Sequence, residues 1–172
     1  MDVRDVSAAE HAALGELTVR AYAQLAGRPT SEGYAEKLRD VTTRAREAEV
    51  LVAVSDDGQV LGGVTYVGDP ANPYAEFSAL DEACFRMLAV APEAQGGGVG
   101  GALVEACVDR ARRDGKRRLS LLTTPNMTAA HRLYERFGFR RTPESDIIVE
   151  DGLLLRSYAL DLEEGRPDGD RD

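Results

Sequence analysis

The run Gln95-Gly-Gly-Gly-Val-Gly-Gly101 constrains this chain more than any other segment. It separates an apolar, strand-like run that ends at Val90 from an amphipathic segment that begins at Val99. The N-terminus of a helix has unpaired backbone N–H groups and a positive dipole end, so it favours an anion. Glycines let the main chain approach that anion and adopt positive φ. The run therefore predicts a phosphate-binding loop, and the strong patterns on both sides argue against a flexible linker.

Two other phosphate-binding loops fit this run less well. A nucleotide-hydrolysing P-loop requires lysine and a hydroxyl residue after the glycines, and this chain has alanine and leucine there. The dinucleotide fingerprint G-x-G-x-x-G is matched literally by Gly96, Gly98 and Gly101. However, residues 92–95 separate it from the strand, no acidic residue lies near position 121, and an upstream hairpin breaks the βαβ order.

The rest of the chain alternates between strand and helix patterns. Ser7 and Glu10 form a capping-box signature for a helix that runs toward Leu25 and is ended by residues 27–29. Further helices are predicted from about Ser31, with Tyr34, Leu38 and Val41 on one face, from the glycine run to Asp114-Gly115, and over Thr128–Phe137. Strands are predicted at Val50–Val54, Val60–Val67, Ala83–Val90, Arg118–Thr123, from Phe139, and in a hairpin over Asp146–Leu162 that turns at Asp151-Gly152. This order predicts one mixed α/β domain over residues 1–162 and a disordered acidic tail over residues 163–172.

Composition excludes several classes of function. The 172 residues carry a formal charge of -9, of which a net -4 lies in residues 161–172, so a basic footprint for nucleic acid or an anionic membrane is missing. This balance is compatible with a cationic amine as the substrate. Cys84 and Cys107 fit buried apolar positions, and His11 and His131 fit packing or surface positions, so no disulfide or metal site is expected. The N-terminus does not resemble a signal peptide and no apolar run is long enough to span a bilayer, which predicts a cytoplasmic protein.

The spacing Gln95-x-x-Gly98-x-Gly100 resembles the coenzyme A pyrophosphate loop of the GNAT superfamily of N-acetyltransferases. The resemblance extends from about Cys84 to Phe139. It includes Leu88-Ala-Val-Ala-Pro92 before the loop and Ala130-His-Arg-Leu-Tyr-Glu-Arg-Phe-Gly-Phe139 after it, which is similar to the family's L-Y-x-x-x-G-F motif. It implies a GNAT fold, with a mixed central sheet of about six to seven strands and about four helices. It also implies acetyl-CoA as co-substrate, no metal, and a chain that is able to form a homodimer.

The resemblance assigns coenzyme contacts to particular positions. Pantetheine is expected in a gap between the strand at Met87–Val90 and the strand at Leu119–Thr123, where its amides pair with the strand backbone. Where the family often has asparagine this chain has Met127, so the neighbouring Asn126 is the candidate for that contact. The residues expected to contact acetyl-CoA are Leu88, Ala89, Val90, Gln95, Gly96, Gly97, Gly98, Val99, Gly100, Gly101 and Asn126.

Acetyl transfer requires an electrophilic carbonyl, a protonated leaving thiol and a neutral amine. Backbone N–H groups of a bulged strand near Leu88 to Val90 are suited to the developing oxyanion. Tyr134, whose phenol has a reference pKa of about 10, matches the family's general acid for a thiolate of about 8.5, although packing on the sheet also explains it. Glu76, Asp81 and Glu82 are candidates to activate the amine, or else solvated loop residues, and Glu82 is the catalytic candidate among them.

The function predicted from these residues is acetyl transfer to a primary amine of a small molecule, an amino acid or a peptide, by direct attack in a ternary complex. The alternative is a module of the same fold that binds acyl-CoA without turnover. The complete glycine loop and Tyr134 favour the enzyme.

Overall fold

The computed structural model describes residues 1–25, 30–149 and 152–163. The strands are β1 (Asp2–Asp5), β2 (Glu49–Val54), β3 (Val60–Val67), β4 (Glu82–Val90), β5 (Arg118–Thr123), β6 (Arg140–Arg141), β7 (Ile147–Ile148) and β8 (Leu154–Asp161). The α-helices are α1 (His11–Ala23), α2 (Glu32–Arg39), α3 (Val41–Glu47), α4 (Val99–Arg113) and α5 (Thr128–Arg136). The mixed α/β class is confirmed. The described residues contain eight strands and five α-helices, where about six to seven strands and about four helices were predicted.

One mixed sheet organises the molecule. Its strand order is β1-β2-β3-β4-β5-β8-β6, with β7 paired to β8. Among the pairings of the described strands, β4 with β5 is parallel and the others are antiparallel. Helices α4 and α5 cover one face of the sheet, while α1, α2 and α3 cover the other. The predicted hairpin of β2 and β3 is confirmed.

The first helix begins where its capping signature predicts. The Ser7 backbone N–H donates to the Glu10 carboxylate at 2.8 Å, and Glu10 N–H donates back to the Ser7 carbonyl at 3.0 Å. A single 3₁₀ turn at Ala8–Glu10 precedes α1, which ends at Ala23. The predicted terminator at residues 27–29 lies outside the described residues.

The predicted second helix is two helices. Asp40 interrupts the chain and begins α3, because its carboxylate accepts a hydrogen bond from the Thr43 N–H at 3.0 Å. The Arg44 guanidinium in α3 donates to the carbonyls of Lys37 and Leu38, which are at the C-terminal end of α2. The apolar spacing that continues from Leu38 to Val41 concealed this break.

The main core lies between the sheet and helix α4. The apolar face of the amphipathic helix α4 is buried, and its residues are Val99, Leu103, Val104, Cys107, Val108 and Ala111. Both cysteines are buried and unbridged, and burial raises the pKa of the Cys84 thiol to about 12. They therefore pack as small apolar residues, as predicted.

The C-terminal hairpin is fixed by an ion pair beside the short strand β6. Arg141 donates to both carboxylate oxygens of Asp146 at 2.7 Å, and the Ser157 N–H donates to the same carboxylate at 2.8 Å. The predicted hairpin is confirmed as β7 with β8, and Gly152 has the positive φ, 81°, expected of a turn residue. Asp151 and residues 164–172 of the predicted tail lie outside the described residues.

Candidate active site

Strands β4 and β5 separate soon after they begin. Their parallel pairing is limited to Glu82–Cys84 opposite Arg118–Ser120, although β4 continues to Val90 and β5 to Thr123. On their outer edges the two strands stay paired, β4 with β3 and β5 with β8. The predicted separation is therefore confirmed, and the edge of β4 beyond Cys84 faces a gap with main-chain groups that β5 does not pair.

A bulge in β4 lies at this gap. The register with β3 pairs Arg86 with Thr65 and Ala89 with Gly63, so two residues of β4 oppose one residue of β3. Met87 is the only non-glycine residue in the described part of the chain with positive φ, 56°, a conformation that costs about 1–2 kcal/mol. The bulge changes which residues share a face. Phe85 and Leu88 are three residues apart, which regular alternation would put on opposite faces, yet both pack on the α4 side of the sheet, whereas Ala89 packs with the α1 side.

The glycine loop connects the separated end of β4 to helix α4. Gly96 and Gly98 have φ values of 82° and 83°, and residues 95–98 are exposed. The first helical hydrogen bond runs from Ala102 N–H to the Gly98 carbonyl, so the N–H groups before Ala102 have no earlier carbonyl of the helix to bond. Among them, the Gly97 N–H donates to the Ala94 carbonyl at 3.3 Å. No acidic residue occupies the first turn of α4. This arrangement has the features that favour an anion at a helix N-terminus.

The last two glycines of the loop serve close packing. A Cβ at Gly100 would lie 3.2 Å from the Leu133 side chain of α5, and one at Gly101 would lie 3.8 Å from it. These glycines therefore let α5 approach the start of α4. The approach positions Tyr134, the next residue of α5, beside the separated strands.

Tyr134 is held by an aromatic cluster and a helix cap. It is 3% exposed, and its ring centroid lies 5.9 Å from Phe85, 6.0 Å from Phe139 and 6.2 Å from Tyr158. Burial raises the pKa of its phenol. Gly138, with φ of 93°, ends α5 in a Schellman motif, in which Phe139 N–H donates to the Tyr134 carbonyl. The L-Y-x-x-x-G-F pattern thus specifies how α5 ends.

The structure does not bring Glu82 to Tyr134. Glu82 is in the paired half of β4, and its carboxylate lies 3.9 Å from the Arg118 guanidinium. Asp81 is exposed and forms an ion pair with Arg117 at 2.8 Å. Both acids belong to the closed end of the two strands. The Glu82 side chain, 20% exposed, therefore has an ion-pair partner at this end, and its catalytic role stays a prediction.

Glu76 is the acid that lies near the gap. It belongs to a group of side chains that we call the Arg86 cluster. The cluster consists of Tyr22, Tyr34, Tyr74, Glu76 and Arg86. Glu76 lies 3.7 Å from the Arg86 guanidinium, which is also 5.9 Å from the centre of the Tyr74 ring. The pKa of Glu76 is raised by burial and lowered by Arg86, with burial dominant. Sequence reasoning missed this cluster, although an arginine within the apolar run of β4 was a signal for it.

Tyr22 connects this cluster to Tyr134. Its pKa is raised first by burial, then by the nearby Tyr34 and Tyr134, and Glu76 adds to that effect while Arg86 opposes it. Tyr22 is therefore within electrostatic range of both the phenol on one face of the sheet and the ion pair on the other.

The other candidate residues have simpler positions. Asn126 is exposed in the turn before α5, and its coenzyme contact stays a prediction. His131 is buried, with Nε2 3.0 Å from the Thr124 carbonyl, and His11 contacts the Thr42 hydroxyl at 3.0 Å, so both histidines have packing roles. No group of three metal-ligating side chains comes together in residues 1–25, 30–149 and 152–163. None of the helices described is both long and apolar enough to cross a membrane.

A surface depression of about 430 Å³ lies away from the gap. It is bordered by charged residues at the closed end of the sheet, including Arg46, Glu49, Arg113 and Asp114. At the edge of the depression, the Tyr66 hydroxyl donates to the Asp114 carboxylate at 3.0 Å. Its charged residues are largely paired with one another, and none belongs to the glycine loop or to α5.

Comparison with known proteins agrees with this geometry. Residues 17–139 match the sequence profile of the Acetyltransferase (GNAT) family. The candidate acetyltransferase yncA from Salmonella typhimurium, determined with its cofactor acetyl-CoA, is 25% identical, with 98% of each chain covered and a TM-score of 0.69.

Two further structures share the fold. The ribosomal-protein-alanine N-acetyltransferase from Brucella melitensis is 23% identical, with 94% of this chain and 99% of that chain covered and a TM-score of 0.69. The GCN5-related N-acetyltransferase from Kribbella flavida is 24% identical, with coverages of 93% and 96% and a TM-score of 0.67. A search of curated proteins finds no significant match.

Proposed function

The chain belongs to the acetyltransferase (GNAT) family, and we propose that it transfers the acetyl group of acetyl-CoA to a primary amine within a ternary complex. The observation that carries this proposal is the convergence of a glycine loop, a bulged and unpaired strand edge, and a buried tyrosine at one end of β4. Bound there, acetyl-CoA would supply an activated thioester.

The main chain of the glycine loop is proposed to hold the pyrophosphate. The N–H groups of Gly96–Gly101 lie at the positive end of α4, where anions are stabilised by about 0.3–1 kcal/mol each through the dipole alone. Gly96 and Gly98 have open space at the position that a Cβ would occupy, so phosphate oxygens are able to approach the backbone there. The side chain of Gln95 is exposed at the same rim. These residues fit the coenzyme without any side-chain charge.

The edge of Leu88–Val90 is proposed to hold the pantetheine and the acetyl carbonyl. Its amides lie beyond the last pair with β5, so they are available to pair as a neighbouring strand would. The bulge at Met87 changes the direction of the main-chain groups that follow it. An N–H aimed at the carbonyl oxygen would stabilise the charge that develops there, and the loss of one such donor typically costs about 10²–10³ in rate.

Tyr134 is proposed to donate the proton that the leaving thiol requires. Its raised pKa keeps the phenol protonated throughout the neutral range but also makes it a weaker acid, so the transfer depends on the negative charge that develops on the leaving sulfur. The aromatic cluster around Tyr134 fixes its position before the substrates bind. A group held in place in this way does not have to reorganise during the reaction.

Glu76 replaces Glu82 as the group proposed to receive the amine. Taking a lysine-like amine to its neutral form at pH 7 costs about 4.6 kcal/mol, while a peptide α-amine costs about 1 kcal/mol. A carboxylate whose pKa is raised by burial is better suited to accept that proton than an exposed one. Glu76 is such a carboxylate, and it lies beside Arg86 in the cluster that includes Tyr22.

A thiol-release assay with acetyl-CoA over a panel of primary amines tests the transfer. We expect release that depends on the amine, together with a product heavier by one acetyl group in mass spectrometry. Calorimetric binding of acetyl-CoA without release on any amine would contradict transfer and favour a binding module. The homodimer and the cytoplasmic location stay predictions, of which light scattering on purified protein tests the first.

A further inference from the structure

We propose that the acceptor is a free α-amino acid, whose carboxylate binds Arg86 while its amine binds Glu76. This assignment rests on the proposed acetyl transfer and narrows it. The structural basis is the Arg86 cluster, in which two opposite charges lie side by side at the gap in β4.

Arg86 occupies a position that packing alone does not explain. It lies among the apolar residues of β4, and its side chain is 21% exposed. In the described part of the chain its polar contacts are long, 3.7 Å to Glu76 and 3.4 Å to the Tyr74 carbonyl. Charge-assisted hydrogen bonds are normally about 2.7–2.9 Å, and a guanidinium has five donors in a planar fork that matches a carboxylate. The guanidinium therefore has capacity left for a carboxylate ligand.

Glu76 gives the cluster its second charge. Its side chain is 16% exposed, so the carboxylate is partly removed from water yet open to a ligand. An α-amino acid carries an amine and a carboxylate two bonds apart, which is the arrangement that an adjoining glutamate and arginine complement. A peptide N-terminus and a simple alkylamine offer the amine alone, and neither brings a carboxylate to the remaining donors of the arginine.

A second arginine lies close to the cluster. Arg44 is 2% exposed, and its two terminal nitrogens are held by the carbonyls of Lys37 and Leu38. Its Nε is the one buried side-chain nitrogen or oxygen in the described residues that lacks a hydrogen-bond partner. Because its terminal nitrogens are already used by main-chain carbonyls, Arg86 is the guanidinium of this region with donors left for a ligand.

The tyrosines define the remaining surface of this acceptor site. Tyr22 and Tyr34 contact edge to face, with ring centroids 6.2 Å apart, and both are partly buried. Their rings offer an apolar wall to the side chain of the amino acid. Arg86 lies in β4 beyond the last residue paired with β5, so a ligand held between Glu76 and Arg86 is bound at the separated part of that strand.

The test compares amino acids with their own carboxamides in the thiol-release assay. All twenty proteinogenic amino acids are screened, with leucinamide, phenylalaninamide and glutaminamide as partners of leucine, phenylalanine and glutamine. A carboxamide has the less basic amine, so chemistry alone favours it. We expect the best amino acid to exceed its carboxamide by at least about tenfold in kcat/KM, because a buried charge without a partner penalises the amide.

The substitution Arg86→Gln separates recognition from folding. We expect it to lower kcat/KM for the best amino acid by about 10–100-fold more than for the matching carboxamide, with the difference mainly in KM. Arg118→Gln, which removes the arginine paired with Glu82, is the matched control and should leave both substrates unchanged. Calorimetric titration with acetyl-CoA verifies that each variant retains its coenzyme site.

Two results would overturn the assignment in different ways. If the carboxamides or alkylamines react as well as the amino acids, or if Arg86→Gln lowers both substrates equally, the acceptor is not recognised by its carboxylate, while acetyl transfer itself stands. If acetyl-CoA binds and no amine of any kind releases thiol, the transfer fails and this assignment fails with it.

Discussion

The two sides of the β4 gap are built differently for the ligands that we propose for them. On the coenzyme side, one continuous stretch from β4 through the glycine loop to α5 supplies main-chain N–H groups and a single phenol. On the acceptor side, the Arg86 cluster supplies side chains from α1, α2, the loop before β4 and β4 itself. The first side depends on backbone shape, and the second depends on which charges the fold brings together.

This difference predicts how each side responds to substitution. A main-chain site tolerates exchange of its side chains but not of the glycines that shape it. A side-chain site keeps its shape when one charge is removed but loses its selectivity. Substitutions on the two sides, and in the scaffold between them, should therefore change different measured quantities.

The largest expected effect is at Tyr134, the side chain on the coenzyme side that we propose as the proton donor. Tyr134→Phe should lower kcat by about 10²–10³-fold, since a positioned proton donor contributes about 10²–10⁴-fold. The dissociation constant of acetyl-CoA should change less than about twofold, because the main-chain contacts remain. Tyr158→Phe, in the same aromatic cluster, is the control. Equal losses in the two variants would assign Tyr134 to packing.

The second prediction separates two glycines by their location. Gly98, in the glycine loop, and Gly58, in the turn between β2 and β3, have φ values of 83° and 87°. Both have open space where a Cβ would lie, so alanine is strained equally at the two positions, by about 1–2 kcal/mol. Gly98→Ala should also weaken acetyl-CoA binding by about tenfold, because its Cβ keeps the pyrophosphate from the backbone.

Gly58→Ala is the matched control for Gly98→Ala. It should lose the same stability and bind acetyl-CoA normally, because Gly58 is remote from the loop. Calorimetric titration and thermal unfolding measure the two quantities. Equal affinities in the two variants would contradict a main-chain site for the coenzyme.

The third prediction concerns scaffold that serves neither ligand. Hydrogen bonds from Arg141, and then from the Ser157 N–H, lower the pKa of Asp146 to about 2. A carboxyl whose pKa is lower in the folded state stabilises the protein above its unfolded pKa of about 3.9, and this stability is lost as pH falls toward 2. Asp146→Asn should therefore lower the Tm at pH 7 and have little effect near pH 2.

Thermal unfolding at several pH values tests the Asp146 prediction. Asp109→Asn, at an exposed position of α4, is the control and should leave the Tm unchanged at each pH. The kcat of Asp146→Asn, measured well below its Tm, should stay at the wild-type value. A Tm difference that persists undiminished near pH 2 would exclude the carboxylate as its source.

The smallest predicted effect is at Glu82, which we compare with Glu76 in the loop before β4. Glu82→Gln should leave kcat within about twofold, because water-accessible ion pairs such as Glu82 with Arg118 contribute little. Glu76→Gln should lower kcat/KM by about 10–100-fold on amino acids and carboxamides alike, because both present their amine to it. Initial rates of thiol release measure both variants. A larger loss for Glu82→Gln than for Glu76→Gln would return the catalytic role to the closed end of the strand.

Sequence patterns predicted the coenzyme side well because its determinants are local. Each of its motifs lies within a few residues of the chain. The glycine run has positive φ values, the Leu88–Pro92 run begins on the unpaired edge of β4, and the Tyr134 motif ends α5 in a Schellman cap. The separation of β4 from β5 was also predicted, from the resemblance. The break at Asp40 was not, because a capping aspartate within a continuing apolar spacing resembles an ordinary helix position.

The acceptor side could not be predicted in the same way because its determinants are long-range. Tyr22 and Arg86 are far apart in the chain, and neither has a local pattern that distinguishes it from a packing or surface residue. The choice of Glu82 followed from its position just before an apolar strand. Only the register of β4 with β5 reveals that this position is the closed end, and only the folded chain places Glu76 beside Arg86.

The central claim is that the main chain of the glycine loop and the edge of β4 bind the coenzyme. Backbone amide chemical shifts of ¹⁵N-labelled protein, recorded as acetyl-CoA is added, test it most directly. We expect the largest changes at Gly96–Gly101 and at Leu88–Val90. Unchanged amides in both segments, with the largest changes instead around the depression at Arg46 and Asp114, would contradict the account.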